Sequence, residues 1–207
     1  PHCIDNDWFR ARAKAVSAAR FRAEQGVPDG SRMVLFVGKL TGKKRPLDLV
    51  EALALARRSH PDLIACFAGS GVLAEEIADR AAALDVPVRM LGFCNQSELP
   101  AVYGASTMLV LPSDGGETWG LVANEALACG VPVLLSSACG SAPDLVADEN
   151  AGRQFPVGDV KALAVRIDEI LSSPPSSEEI RRRADAYSLA AAADGIVEAM
   201  DSVVERA

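Results

Sequence analysis

Histidine is nearly missing from this chain. Its 207 residues hold two, His2 and His60. No Ser/His/Asp set can be assembled from them, and neither has partners at metal-ligand spacing. Cysteine is sparse and odd in number: Cys3, Cys66, Cys94, Cys129 and Cys139, with no Cys-x-x-Cys. These read as reduced, cytosolic core residues and not as a disulfide framework. Positive charge is in deficit: 21 Lys and Arg against 28 Asp and Glu leave a net charge of −7. That argues against general nucleic-acid binding, which calls for a basic face. No apolar run approaches the ~20 residues of a membrane span, so no membrane contact is expected. The polar, helix-patterned N-terminus lacks the apolar core of a signal peptide, and a cytoplasmic location is expected. The chain opens on Pro1 and not on Met, which suggests a piece of a longer protein.

What is present is the composition of a soluble globular protein, 49% apolar and 24% charged. One domain, or one domain with an appendage, is expected, and a chain of this size can bury roughly 70% of its unfolded surface. Short all-apolar runs at 33–37, 63–68, 88–91, 107–111 and 131–136 read as strands, with an edge strand at 152–156. Helical patterns lie between and after them, at 8–25, 47–59, from Gly71 to about Leu84, and at 97–103, 120–129, 160–171, 178–187 and 189–205. A helical turn is expected at 143–147. Ser172-Ser-Pro-Pro-Ser-Ser177 reads as a linker, dividing a domain at 1–171, led by a segment at 1–30, from terminal helices within 172–207. Apolar strands alternating with helices predict an α/β fold, a doubly wound, Rossmann-like parallel sheet covered on both faces.

In such sheets ligands bind beyond the carboxyl ends of the strands. Gly38-Lys39, Gly69-Ser70-Gly71, Gly92-Phe93, Pro112-Ser113 and Ser136-Ser137 occupy those positions. Glycine there lets a ligand approach the backbone, although tight turns alone would also use it. The most informative stretch runs from Ser113 to Gly130 and carries Glu117 and Glu125 in a Glu-x7-Glu pair. Glu117 is placed just before a helix, beside free N–H groups, and Glu125 about one and a half turns inside it. Such N–H groups can hold phosphate, and a carboxylate can accept two hydroxyl hydrogen bonds from a ribose or hexose. Two ordinary surface glutamates would fit the same spacing. Lys39, Lys43, Lys44 and Arg45 form the one dense basic cluster. A diphosphate clamp and a solvated turn account for it equally well.

Other motifs fail in detail. Gly69-Ser-Gly-Val-Leu-Ala74 matches G-x-G-x-x-G/A, but the next strand ends in Leu-Gly-Phe-Cys without the acidic residue a dinucleotide needs. Gly38-Lys-Leu-Thr-Gly-Lys-Lys44 is one residue short of a P-loop and offers Lys44 where Ser or Thr should hold magnesium.

Taken in order, these segments resemble the nucleotide-binding, C-terminal half of retaining glycosyltransferases of family 4, which have the GT-B fold. Pro1-His-Cys-Ile-Asp5 is similar to the family's interdomain Pro-Asn-Gly-Val-Asp segment. Phe36-Val-Gly-Lys-Leu40 with Lys44 is similar to Val-Gly-Arg-Leu…Lys-Gly, and Ala68-Gly-Ser-Gly71 to the Gly-x-Gly-Pro turn. Leu91-Gly-Phe93 with Glu98-Leu-Pro100 resembles the segment flanking the base. Leu111-Pro-Ser113, Glu117, Gly120 and Glu125-Ala-Leu-Ala-Cys-Gly-Val-Pro-Val133 match the most specific signature, and Gly140 and Ala151-Gly152 follow in place.

The resemblance implies roles. Glu117 would contact the transferred sugar and Glu125 the ribose. Gly38, Lys39, Lys44 and the Leu121 and Val122 backbone would meet the diphosphate. Ser70, Gly71, Phe93 and Cys94 would lie near the base. Lys39 stands where the family has Arg, so bidentate phosphate recognition is lost there. Trp119 stands where Phe is common, which would reshape the sugar pocket, and Val72 replaces a Pro. The implied reaction moves a hexosyl group from a UDP- or GDP-sugar to an acceptor with retained configuration. It needs no metal or other cofactor if the cations suffice. The acceptor site would belong to a missing N-terminal domain, and this half alone would be inactive in transfer. A non-catalytic nucleotide-sugar-binding module and a nucleotide-sugar epimerase half are the alternatives on the same fold.

Overall fold

Strands that are apolar on both faces need helices above and below them, and the computed structural model has that layering. It describes residues 2–15 and 17–204; Pro1, Val16 and Glu205, on which parts of the expected elements fall, lie outside the described residues. The strands are β1 (Arg32–Val37), β2 (Leu63–Ala68), β3 (Val88–Gly92), β4 (Met108–Leu111), β5 (Val133–Ser136) and β6 (Gly152–Phe155). They form one sheet in the order β3-β2-β1-β4-β5-β6, and every pairing is parallel. The order reverses between β1 and β4, whose register pairs Val34 with Met108 and Leu35 with Leu109. A crevice at such a switch point is where this architecture takes ligands.

The helices, in chain order, are α1 (Asn6–Ala15), α2 (Ala18–Glu24), α3 (Pro46–Ala56), α4 (Ala74–Ala83), α5 (Leu99–Gly104), α6 (Leu121–Ala128), α7 (Ala142–Leu145), α8 (Val160–Ser172), α9 (Ser177–Asp185) and α10 (Leu189–Val204). Alternation along β1 shows how they divide. Met33, Leu35 and Val37 join a core with Phe9 of α1, Tyr103 of α5, Leu127 of α6 and Ile180 of α9. Val34 and Phe36 join the opposite core with Leu53 of α3, Ile77 of α4 and Ile167 of α8. Period-two alternation sends neighbouring side chains to opposite faces, so both cores are filled from the same five residues.

Several boundaries differ from expectation, and three are instructive. The helix expected at 8–25 is two helices. Ser17 is extended and its hydroxyl accepts the Arg20 N–H at 3.3 Å, which starts α2 afresh. β5 begins at Val133, after Pro132, which has no N–H to give a ladder. The helix expected at 178–187 ends at Asp185 after opening on a capping box, Ser176 with Glu179. At the amino ends of the strands, Arg32 grips Asp62 at 2.5 and 2.6 Å, and His60 bridges Arg32 to Asp168 of α8 at 3.0 and 2.6 Å. That network uses one of the two histidines to fasten α8 at the edge away from the switch point. Among the described residues no helix is long and apolar enough to cross a membrane.

Candidate functional site

Parallel pairing puts every strand's carboxyl end on one rim, and the sequence-predicted residues gather there. Gly38 and Lys39 follow β1, Ser70 and Gly71 follow β2, Phe93 and Cys94 follow β3, and Glu117 lies past β4. Backbone bonds stitch the rim together. Gly38 N–H donates to Ala68 O at 3.0 Å, Leu40 N–H to Ser70 O at 2.9 Å, and Gly69 N–H to Gly92 O at 2.7 Å. Across the switch point, Asp114 N–H donates to Lys43 O at 2.9 Å. The loops after β1 and β4 are therefore one structural unit.

The basic cluster divides within this unit. Arg45 is taken by Asp48, at 2.7 and 3.1 Å. Lys44 donates to Oε2 of Glu117, in an ion pair whose side chains are 20% and 12% exposed. The buried Ser113 hydroxyl donates to the same Oε2 at 3.2 Å, and the Ser136 hydroxyl donates to the Ser113 carbonyl. Glu117 Oε1 makes no hydrogen bond to a described residue. Lys39 is exposed, and among the described residues neither it nor Lys43 is in an ion pair.

Two glycines let the Glu117 loop sit where it does. Gly120, the residue before α6, has φ 86°, a left-handed conformation that costs a side-chain-bearing residue ~1 kcal/mol or more. Gly140 donates its N–H to Glu117 O at 3.0 Å, and a Cβ on it would lie 1.9 Å from Thr118 O. Only a residue without a side chain permits that approach. No side chain caps α6, and neither the Leu121 nor the Val122 N–H is drawn into the surrounding loops. The first turn of α6 thus offers donors and the positive end of its dipole toward the rim.

Glu125 sits deeper on α6 and accepts the Tyr103 hydroxyl at 2.7 Å. Burial pushes its carboxyl above the ordinary 4.5, and the Tyr103 hydrogen bond opposes that shift in part. The Tyr103 phenol is pushed well above 10, first by burial and then by the Glu125 charge. Tyr103, 22 positions before Glu125, is the partner that sequence reasoning missed. Nothing in its apolar surroundings marks it, since only the packing of α5 on α6 brings the two together. Trp119, two residues past Glu117, is held by Asn124 and two aromatic rings. Its Nε1–H donates to Asn124 Oδ1 at 2.8 Å, and its ring lies 4.9 Å from that of His2 and 5.9 Å from that of Tyr187.

Beside Phe93 and Cys94 a cavity of about 620 Å³ opens between α2 and α5, lined by Phe21, Leu91, Val102 and Glu98 as well. Phe93 is 78% exposed at its mouth. The cysteines are free thiols, with burial pushing Cys66 and Cys129 up to about 12 and raising Cys94 and Cys139. Such thiols are poor nucleophiles. The sequence's one Asp-x-Asp spacing, Asp5-Asn6-Asp7, serves α1: Asp5 accepts the Trp8 N–H at 2.9 Å and Asp7 pairs with Arg10 at 2.8 Å.

The sequence model of the family described as "Glycosyl transferases group 1" matches residues 17–187, most of the chain. The chain belongs to the group 1 glycosyl transferases. It is 31% identical over 207 aligned residues to a D-inositol 3-phosphate glycosyltransferase of Segniliparus rotundus, covering 95% of this chain and 45% of that one. It is 34% identical over 155 residues to an uncharacterized glycosyltransferase of Methanocaldococcus jannaschii, covering 73% and 39%. The chain thus spans less than half the length of either relative. Among solved structures it is similar to Anabaena HepE, crystallised with UDP, at a TM-score of 0.82 and 21% identity over 97% of this chain and 56% of that one. HepE has also been crystallised with UDP-glucose. At that identity the likeness shows the group 1 glycosyltransferase's fold, a C-terminal domain of GT-B type.

Proposed function

We propose that this chain is the donor-binding half of a retaining glycosyltransferase, one that moves a hexosyl group from a UDP- or GDP-sugar to an acceptor. The observation that carries the reading is the Lys44–Glu117 pair at the switch point, beside the uncapped first turn of α6. A nucleotide-sugar has its anionic and hydroxyl-rich parts joined at one bond. Here an ammonium with three donors and a carboxylate with a free oxygen are joined at one contact. Lys44 can hold Glu117 and still donate another N–H to a phosphate oxygen.

Each residue has a place in that chemistry. Lys39, Lys44 and the Leu121 and Val122 N–H groups face the diphosphate, with Gly38 allowing close approach. Glu117 Oε1 accepts from the sugar. Glu125 accepts from the ribose, and Ser70, Gly71, Phe93 and Cys94 border the base. Negative charge grows on the departing diphosphate in an oxocarbenium-like transition state, and preorganised cations and N–H dipoles stabilise it more than they stabilise the ground state. The reaction as read needs no metal. The acceptor site belongs to an N-terminal domain, toward which residues 172–207 lead back, and the enzyme works in the cytoplasm. A binding module or an epimerase half would use the same donor contacts; product analysis with labelled donor separates them and also reports the anomeric outcome.

A thermal-shift panel of UDP, GDP, ADP and their glucose conjugates tests donor binding. A nucleotide at 100 times its dissociation constant should add ~2.7 kcal/mol of stability. If none of these raises the melting temperature, the donor reading is wrong.

A further inference from the structure

The Glu117 carboxylate is held by more than its lysine. Ser113, the second residue past β4, is fully buried, and its hydroxyl donates to Glu117 Oε2 at 3.2 Å. Lys44 donates to the same oxygen. Ser136, the last residue of β5 and also fully buried, donates its hydroxyl to the Ser113 carbonyl. Gly140 N–H holds the Glu117 carbonyl at 3.0 Å. A relay of two buried hydroxyls thus runs from the end of β5, through the end of β4, to one oxygen of the carboxylate.

The two oxygens of Glu117 are not equivalent as a result. Oε2 is engaged from below by Ser113 and from the side of the β1 loop by Lys44, while Oε1 makes no hydrogen bond to a described residue. A carboxylate on a flexible side chain can rotate about its last bond and present either oxygen. Two donors on one oxygen remove that freedom and leave the other for a ligand. A buried serine hydroxyl that loses its acceptor would itself be left unsatisfied, so the arrangement is stable from both sides.

We propose that Ser113 is a positioning residue of the donor site, which orients Glu117 so that Oε1 alone is presented to the sugar, with Ser136 fixing Ser113 in turn. This rests on the reading of Glu117 as the sugar contact. A positioning group of this kind acts on the reacting geometry and not on nucleotide affinity.

The test uses UDP and UDP-glucose as probes on this chain by calorimetry, and donor kinetics on the full-length enzyme. Ser113→Ala should leave the dissociation constant for UDP within about twofold and reduce the extra affinity for UDP-glucose over UDP, as Glu117→Ala does. In the full-length enzyme it should lower kcat about tenfold, ~1.4 kcal/mol, a larger factor than the rise in donor KM. A merely structural serine would instead weaken UDP and UDP-glucose alike. If Ser113→Ala does not fold, Ser136→Ala carries the test, and it must shift the UDP-glucose to UDP ratio in the same direction. Should Glu117→Ala change the ratio and turnover while the serine variant changes neither, the positioning role is overturned and the donor reading stands. Should Glu117→Ala change neither, both are overturned.

Discussion

At the scale of single residues, the site is a set of charges whose partners were hidden until the chain folded. Lys44 is the clearest case. It is held by Glu117 with both side chains largely out of water. Lys44→Ala should weaken UDP binding by ~1.5–3 kcal/mol, the scale of a hydrogen bond to a charged group. Uridine binding should barely change. Equal losses for UDP and uridine in calorimetry would remove the clamp role. The reverse change has the opposite sign: Glu117→Ala takes away a carboxylate that competes for Lys44, so affinity for bare UDP should hold or tighten. Glu125 carries a pH dependence. Burial raises its carboxyl above 4.5, so the folded chain holds that proton more tightly than the unfolded chain does. Its contribution to stability is complete below the unfolded value and is lost as pH rises through the folded one. Glu125→Gln cannot titrate, so thermal melts from pH 4 to pH 7 should show the variant gaining on the parent as pH rises. A constant difference across that range would contradict the buried acid.

At the scale of elements, loops between regular pieces do the positioning. The α6 helix brings an uncapped first turn and Glu125 on one short rod, and the loop before it is shaped by Gly120 and pressed by Gly140. Gly140→Ala places a Cβ 1.9 Å from the Thr118 carbonyl, which backbone must move to relieve. We expect a loss of at least ~2–3 kcal/mol in unfolding free energy, the cost of overpacking, with nucleotide-sugar discrimination lost as well. Unfolding by denaturant and calorimetry on the same sample check both. An unchanged midpoint would mean the α7 loop does not brace Glu117. The split of the first helix belongs at this scale too. Ser17 was in plain view, but a serine inside a helical pattern reads as tolerated until its hydroxyl is seen to accept an N–H. The expected strand starting at 131 shows the converse, because Pro132 was visible and its missing N–H could have moved the boundary to Val133.

At the scale of the whole molecule, this group 1 glycosyltransferase domain gathers the carboxyl ends of its strands on one rim and closes the other end with the Arg32–Asp62–His60–Asp168 network. If the donor reading holds, this chain should bind UDP-glucose and transfer nothing, since catalysis on this architecture needs closure of a cleft between two halves. Radiolabel transfer above background from the isolated chain would contradict that division of labour. In the full-length enzyme Glu117→Ala should lower kcat far more than donor affinity, because a contact made mainly in the transition state acts there. The sequence by itself determined the layering and the rim on which the candidate residues lie. Apolar runs of strand length, glycine and lysine at their carboxyl ends and the Glu-x7-Glu spacing are all local signals, and parallel pairing then forces their ends onto one edge. The tertiary structure alone decided who holds whom. Tyr103 on Glu125, Ser113 and Lys44 on one oxygen of Glu117, and Trp119 between His2 and Tyr187 are contacts between residues brought together by sheet order and helix packing. No periodicity records them, because a hydrogen bond across the switch point depends on the distance between two loops and not on their separation along the chain.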